Sequence, residues 1–218
     1  MLIAINKAHY PVTVLGPGQR IGIWFQGCRI HCPGCVSQDT WAADPGKRMP
    51  LHELVDWCRR VGANGCDGIT LSGGEPFDQP QALGALLDAL HDWRRSAGRE
   101  FDILCYSGYP LKRLRERHAP LLKKLDALIP EPYVDTLPLS HLWRGSQNQP
   151  LIPLSARGER IYHDYLDAAA DPGSKRLQVE VDGNRLWSIG LPARGDLAAL
   201  EAQAAERGLR LDHASWKS

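Results

Sequence analysis

The chain has 218 residues, enough for one sizeable core and short for two ordinary enzyme domains. Its 26 Lys and Arg stand against 25 Asp and Glu, and a formal charge of +1 provides no overall field to hold a nucleic acid, so none is expected as a partner. No run of about 18 apolar residues occurs to span a membrane, and the N-terminus lacks the basic, apolar and small-residue regions of a secretory signal, so a cytoplasmic location is expected.

In chain order, Ile21-Gly22-Ile23-Trp24-Phe25 reads as a buried strand that runs into Gly27-Cys28-Arg29-Ile30-His31-Cys32-Pro33-Gly34-Cys35. Leu51, Leu54, Val55, Cys58 and Val61 recur on one face of a helix that Gly62 can end. Asp67 to Ser72 is the next strand; Leu83, Leu86, Leu87, Leu90 and Trp93 mark the next helix; Phe101 to Tyr106 gives a further strand. A helix from Leu111 to Leu125 leads into the strand Leu125–Ile129, which Pro130 and Pro132 stop by removing donors. Residues 131–153 read mostly as loop. Two alternating segments then flank Asp182-Gly183-Asn184, a hairpin signal, and Asp196 to Arg207 forms an Ala- and Leu-rich helix closed by Gly208.

Five or six strand–helix units fit this length, whereas a closed eight-unit barrel takes about 250 residues. The expectation is therefore an α/β chain: an incomplete, open (β/α)6-type barrel with a mainly parallel sheet, followed by a C-terminal hairpin and helix. A single domain over residues 1–218 is expected, with its core at about 16–150 and the hairpin and helix at 176–210.

Six Cys in a reducing compartment do not form a disulfide framework, and Cys28, Cys32 and Cys35 crowd into eight positions just after a strand, where α/β proteins place their sites. A 4Fe-4S cluster takes four thiolates, so three from the chain leave one iron open to a small molecule. Gly27 and Gly34 let the loop curl and Pro33 restricts it. Zinc, with His31 or His9 as fourth ligand, competes with this reading, although common zinc frameworks use two separated pairs. Three merely buried thiols would sit poorly beside two Gly and a Pro. Cys58 and Cys105, on apolar faces, read as core filler.

The spacing of the three cysteines resembles that of the radical S-adenosylmethionine enzymes. Gly16-Pro17-Gly18-Gln19-Arg20, Phe25-Gln26-Gly27-Cys28 and Cys32-Pro33-Gly34-Cys35 resemble the anaerobic ribonucleotide reductase-activating proteins, and Asp39-Thr40-Trp41 is similar to these and to the pyruvate formate-lyase activases. Both belong to the glycyl-radical activase branch. Ser72-Gly73-Gly74-Glu75-Pro76 matches the superfamily motif that holds the methionine amino group; two Gly let carbonyls approach an ammonium, and Glu75 adds a charge-assisted acceptor. Tyr106-Ser107-Gly108-Tyr109 resembles a motif facing the same ligand, and Arg144 to Gln149 a loop typical of the reductase activases.

The resemblance implies one 4Fe-4S cluster on Cys28, Cys32 and Cys35, and S-adenosyl-L-methionine bound by Gly34, Val36, Gly73, Gly74, Glu75, Ser107 and Asn148. It also implies a glycyl-radical enzyme as partner and an external one-electron donor such as flavodoxin or ferredoxin. The open iron binds the amino and carboxylate groups of S-adenosylmethionine, one electron splits the carbon–sulfur bond, and a 5'-deoxyadenosyl radical takes hydrogen from a backbone glycine. The chain departs from the family at Ile129-Pro130-Glu131-Pro132-Tyr133, where Val-Asp-Gly-Pro-Phe is usual, and at Ser37, where Asn is usual. A radical enzyme acting on a small metabolite or peptide, and a non-enzymatic metal-stabilised binding module, are the alternative functions.

Overall fold

The chain opens on the long strand β1 (Leu2–Val12), which buries Ile3, Ile5 and Val12. In this computed structural model, which describes residues 1–170, 176–183 and 185–209, β1 pairs antiparallel with β2 (Arg20–Phe25) and, on its other side, with β3 (Arg48–Pro50). Every residue of β2 is buried, as the near-continuous apolar run of a strand covered on both faces requires. From there the chain alternates through α1 (Leu51–Val61), β4 (Gly68–Gly73), α2 (Pro80–Ser96), β5 (Asp102–Tyr106), α3 (Leu111–Leu122) and β6 (Ala127–Ile129). Strands β2, β4, β5 and β6 are parallel neighbours, and β7 (Ile152–Pro153) pairs antiparallel with β6.

The sheet is open, in the order β3-β1-β2-β4-β5-β6-β7. Its parallel part is four strands joined by three helices, fewer than the five or six units expected, because both flanks are antiparallel. Residues 13–19, between β1 and β2, are too few for a crossover helix, so the chain must double back. After β6, residues 130–151 run as loop over the carboxyl ends of the strands.

The helices cover the sheet as their spacing predicts. Leu54, Val55 and Cys58 of α1 and Leu83, Leu86, Leu87, Leu90 and Trp93 of α2 are buried in the main core with Ile21, Ile23, Ile69 and Ile103. Helix α3 ends at Leu122, three residues short of the expected Leu125, and is kinked within its length: His118 leaves helical geometry at φ −133°, and Pro120 has no amide hydrogen to donate. A short helix, α4 (Ala156–Tyr162), was not expected; Ser155 Oγ caps it by accepting the Gly158 N–H at 3.0 Å. The C-terminal hairpin β8 (Leu177–Asp182) and β9 (Arg185–Gly190) and helix α5 (Asp196–Glu206) form where expected, while Asn184 at the hairpin turn and Arg210 lie outside the described residues.

A buried ion pair fixes how the parallel strands meet at their amino ends. Arg20, fully buried at the start of β2, donates from Nη1 and Nη2 to the two oxygens of Asp102 on β5, each at 2.8 Å, and from Nε to Thr70 Oγ1 at 2.7 Å. Tyr162 Oη of α4 adds a 2.6 Å bond to Asp102 Oδ2. Gly68 leaves room for this: a Cβ there would lie 2.1 Å from Arg20 Nη1. Arg20→Ala strips Asp102 of its counter-charge and should cost about 3–5 kcal/mol, lowering a urea midpoint by about 1–2 M. An unchanged midpoint would show the pair to be dispensable.

Candidate active site

The carboxyl ends of β2, β4 and β5 build one cleft. Strand β2 ends at Phe25, and the chain turns at Gly27, whose φ of +96° suits glycine alone, into the cysteine loop. The loop is pinned at its start: Gly27 N–H donates to Thr40 O at 2.7 Å and Cys28 N–H to Trp41 O at 3.0 Å. Buried Gln26 reinforces this by donating from Nε2 to Ala42 O at 2.7 Å. Trp41 also stacks on His31, with ring centroids 4.6 Å apart and planes at 15°, holding His31 in its left-handed conformation at φ +52°.

The parallel pairing of β2 with β4 continues past the last strand residues. Phe25 is in register with Gly73; beyond it Gly74 N–H donates to Phe25 O at 2.9 Å and Glu75 N–H to Gly27 O at 2.8 Å. The Gly-Gly-Glu-Pro turn therefore lies against the cysteine loop. Glycine is required at both positions: Gly73 has φ +92°, and a Cβ on Gly74 would sit 2.2 Å from Gly27 O.

Glu75 is fully buried and every contact of its carboxylate is a donor. Oε1 accepts from Phe77 N–H and Ser107 Oγ–H, both at 2.9 Å, and Oε2 from Gly108 N–H at 2.8 Å. Burial nonetheless dominates and pushes its acid up to about 7. The carboxylate thus ties the turn after β4 to the turn after β5 and places a near-neutral titrating group at the cleft wall.

Cys28, Cys32 and Cys35 line the cleft, each half-buried and free of disulfides. Burial pushes all three thiols above their ordinary value, and backbone amides oppose it: Ile30 N–H points at Cys28 Sγ at 3.5 Å and Ser37 N–H at Cys35 Sγ at 3.4 Å. Such amide donors stabilise thiolates and suit a cluster. Among the described residues, no three His, Cys, Asp or Glu side chains converge as ligands of a single metal ion would. Three thiols on one loop, with amide hydrogens aimed at two of them, are a donor set that fits a 4Fe-4S cluster.

The cleft encloses about 900 Å³, including space open to solvent. Of the residues expected at the cofactor, Val36, Gly73, Gly74, Glu75 and Ser107 join the three cysteines on its wall. Gly34 is not among the residues of the wall; it has φ +75°, and a Cβ there would lie 2.8 Å from Asp135 Oδ1. Asn148 also stands off the wall: its Nδ2 donates to Pro132 O at 2.8 Å and its Oδ1 accepts from Ser146 Oγ at 2.7 Å, so it shapes the loop rather than facing the cleft. Its neighbours Gly145 and Gln149 line the cleft. Arg144 is buried away from the cleft, against Leu166 O.

Tyr133, the last residue of the stretch that departs from the family, also lines the cleft, as do Leu191 and Pro192, which carried no signal in the sequence because apolar loop residues look alike until the chain is folded. Glu131 occupies a left-handed position at φ +84°, and its carboxylate accepts the Leu111 N–H at 3.0 Å, capping α3. The unusual residue at that site thus has a structural task.

The model of a 4Fe-4S single cluster domain matches residues 14–152. The anaerobic ribonucleoside-triphosphate reductase-activating protein of Enterobacteria phage T4 is 32% identical over 143 residues, 65% of this chain and 89% of that protein. The protein of the same name from Escherichia coli K12 is 31% identical over 150 residues, 65% of this chain and 93% of its own. Pyruvate formate-lyase 1-activating enzyme of E. coli K12 is 35% identical over 92 residues, 40% of this chain and 34% of that enzyme. The domain match ends before β8, β9 and α5, and Leu191 and Pro192, in the connection between β9 and α5, line the cleft.

The raised acid of Glu75 sets a pH dependence of stability. Between its ordinary value near 4.5 and about 7 the folded chain holds a proton that the unfolded chain has lost, so this group's contribution falls as pH rises, by roughly 3 kcal/mol in all. Urea midpoints of the wild type should drop between pH 4.5 and 7.5 relative to those of Glu75→Gln. Parallel pH profiles would mean that Glu75 titrates normally.

Proposed function

The chain belongs to the 4Fe-4S single cluster domain family, within the radical S-adenosylmethionine superfamily, and from that membership we propose that it is an activating enzyme that installs a radical on a glycine of a partner enzyme. Anaerobic ribonucleotide reductase is the partner that its relatives' names point to. The observation that carries this reading is the meeting of three free thiols and the Gly73-Gly74-Glu75 turn on one cleft wall. When bound and reduced by one external electron, from a carrier such as flavodoxin or ferredoxin, the cluster supplies the cleavage of S-adenosylmethionine to methionine and a 5'-deoxyadenosyl radical.

The chain's own residues bind, orient and shield. Cys28, Cys32 and Cys35 would hold the cluster, and three protein thiolates would leave it open to a small-molecule ligand. Gly73 and Gly74 let backbone carbonyls come close to the ammonium, and the Glu75 carboxylate, held by three donors, adds the opposite charge from behind. Val36 offers an apolar side to the adenine. Trp41, Tyr133 and Leu191 give the cleft apolar walls that keep water from a reactive radical. Residues 1–218 act as a single domain in this reading, with Leu191 and Pro192 of the connection between hairpin and helix adding to the cleft wall.

A second reading, a radical enzyme for a small metabolite or peptide, draws on the wall that Leu191 and Pro192 add beyond the domain match. Anaerobic reconstitution should load about four irons per chain, and reduction with S-adenosylmethionine should release 5'-deoxyadenosine. Adding anaerobic ribonucleotide reductase should give the electron-spin doublet of a glycyl radical. Cys32→Ala should abolish both products. Loaded protein that forms no 5'-deoxyadenosine would sink the radical chemistry; 5'-deoxyadenosine without any glycyl radical across candidate partners would favour the metabolite reading.

A further inference from the structure

Helix α3 gathers positive charge that the rest of the chain balances. From Leu111 to Lys124 the sequence carries Lys112, Arg113, Arg115, Arg117, Lys123 and Lys124 against one acid, Glu116, while the whole chain is formally only +1. Lys124 is engaged by Asp88 at 2.6 Å, but Lys112, Arg113, Arg115, Arg117 and Lys123 are exposed and enter none of the ion pairs among the described residues. Arg113 and Arg117 stand one turn apart, a like-charged spacing that destabilises a helix. Folding alone does not explain such an arrangement.

The helix lies beside the cysteine loop. Arg113 rests 3.7 Å from the ring centroid of Tyr109, whose hydroxyl donates to Asp78 Oδ1 at 2.5 Å. The other oxygen of Asp78 accepts the N–H of Arg29 at 3.1 Å, and Arg29 is the exposed residue next to Cys28. His118 of the same helix packs on Phe77, two residues beyond Glu75, at 5.3 Å. The acids at this end are already engaged: Asp78 as described, and Glu131 by the Leu111 N–H at 3.0 Å. A positive stripe therefore runs from the edge of the cluster loop along the outer face of α3.

We propose that this stripe, with Arg29 at its head, is the docking surface for an acidic one-electron carrier protein that reduces the cluster. The inference rests on the proposed function, which needs one electron from outside. The carrier gives up that electron and the cluster gains it, with no bond made or broken and no proton moved. A carrier must seat beside the cysteine loop to pass an electron; Lys7 and Arg194 near that loop are paired with Asp39 and Asp135, whereas the stripe brings positive charge that enters no ion pair among the described residues. Complementary charge speeds encounter and fixes orientation, and salt weakens both effects.

The test uses Lys112→Glu combined with Arg117→Glu in the reconstituted enzyme, with two reductants, since neither residue lines the cleft. With dithionite, a small reductant that needs no docking, 5'-deoxyadenosine should form at the wild-type rate. With reduced flavodoxin as an acidic probe the rate should fall about tenfold at low salt, and added salt should bring the wild type down toward the variant. Calorimetry of flavodoxin with the cluster-free full chain should show affinity weakened about tenfold, and Lys112→Arg with Arg117→Lys should restore it. Unchanged flavodoxin rates and affinity would overturn the docking surface. Normal flavodoxin reduction with loss only of glycyl-radical transfer would assign the stripe to the radical-accepting partner and overturn it equally. Failure of the wild type with dithionite would instead sink the proposed function, leaving the calorimetry to decide docking by itself.

Discussion

The site exists because the parallel pairing of β2 and β4 does not stop where the strands do. Two further hydrogen bonds, from Gly74 N–H to Phe25 O and from Glu75 N–H to Gly27 O, carry the register past the sheet edge and press two turns together. Glycine is needed on both sides for different reasons: a Cβ on Gly74 would collide with Gly27 O, while Gly27 has the positive φ of +96°. The cysteine loop after one strand and the Gly-Gly-Glu-Pro turn after the next thus become neighbours through backbone geometry alone. Side-chain chemistry is then hung on a frame already set.

Charge is buried at both ends of the same parallel strands, and the two ends are handled differently. At the amino end Arg20 and Asp102 neutralise each other in a closed network with Thr70 and Tyr162. At the carboxyl end Glu75 has three donors and, among the described residues, no ion-pair partner. The first arrangement is complete and serves the fold. The second leaves a buried carboxylate whose charge is balanced by hydrogen-bond donors alone among the described residues, a condition that favours its neutral form.

How much of this was legible in the sequence followed from how local each signal is. Helices α1 and α2 and the parallel strands appear where their apolar spacing puts them, and Cys58 and Cys105 are fully buried as that spacing implies. The cysteine loop and the Gly-Gly-Glu-Pro turn were readable because their residue types are unusual and close together. Strand β1 was not recognised, since Lys7, His9 and Pro11 interrupt its apolar pattern; its pairing with β2 and β3 is a tertiary fact. Asn148 was expected at the cofactor from its loop alone, and only the folded loop shows its amide engaged with Pro132 and Ser146. The basic character of α3 was hidden in a neutral chain, because charge matters by surface rather than by total.

The wall formed by Leu191 and Pro192 bears on what the shared part of the chain is worth by itself. A fragment ending at residue 152 would hold all three cysteines and the Gly-Gly-Glu-Pro turn, yet its cleft would lack one side. Most of the cleft wall thus comes from the matched stretch, and Leu191 and Pro192 are a patch added from beyond it. That patch is where this chain is free to differ in what it admits.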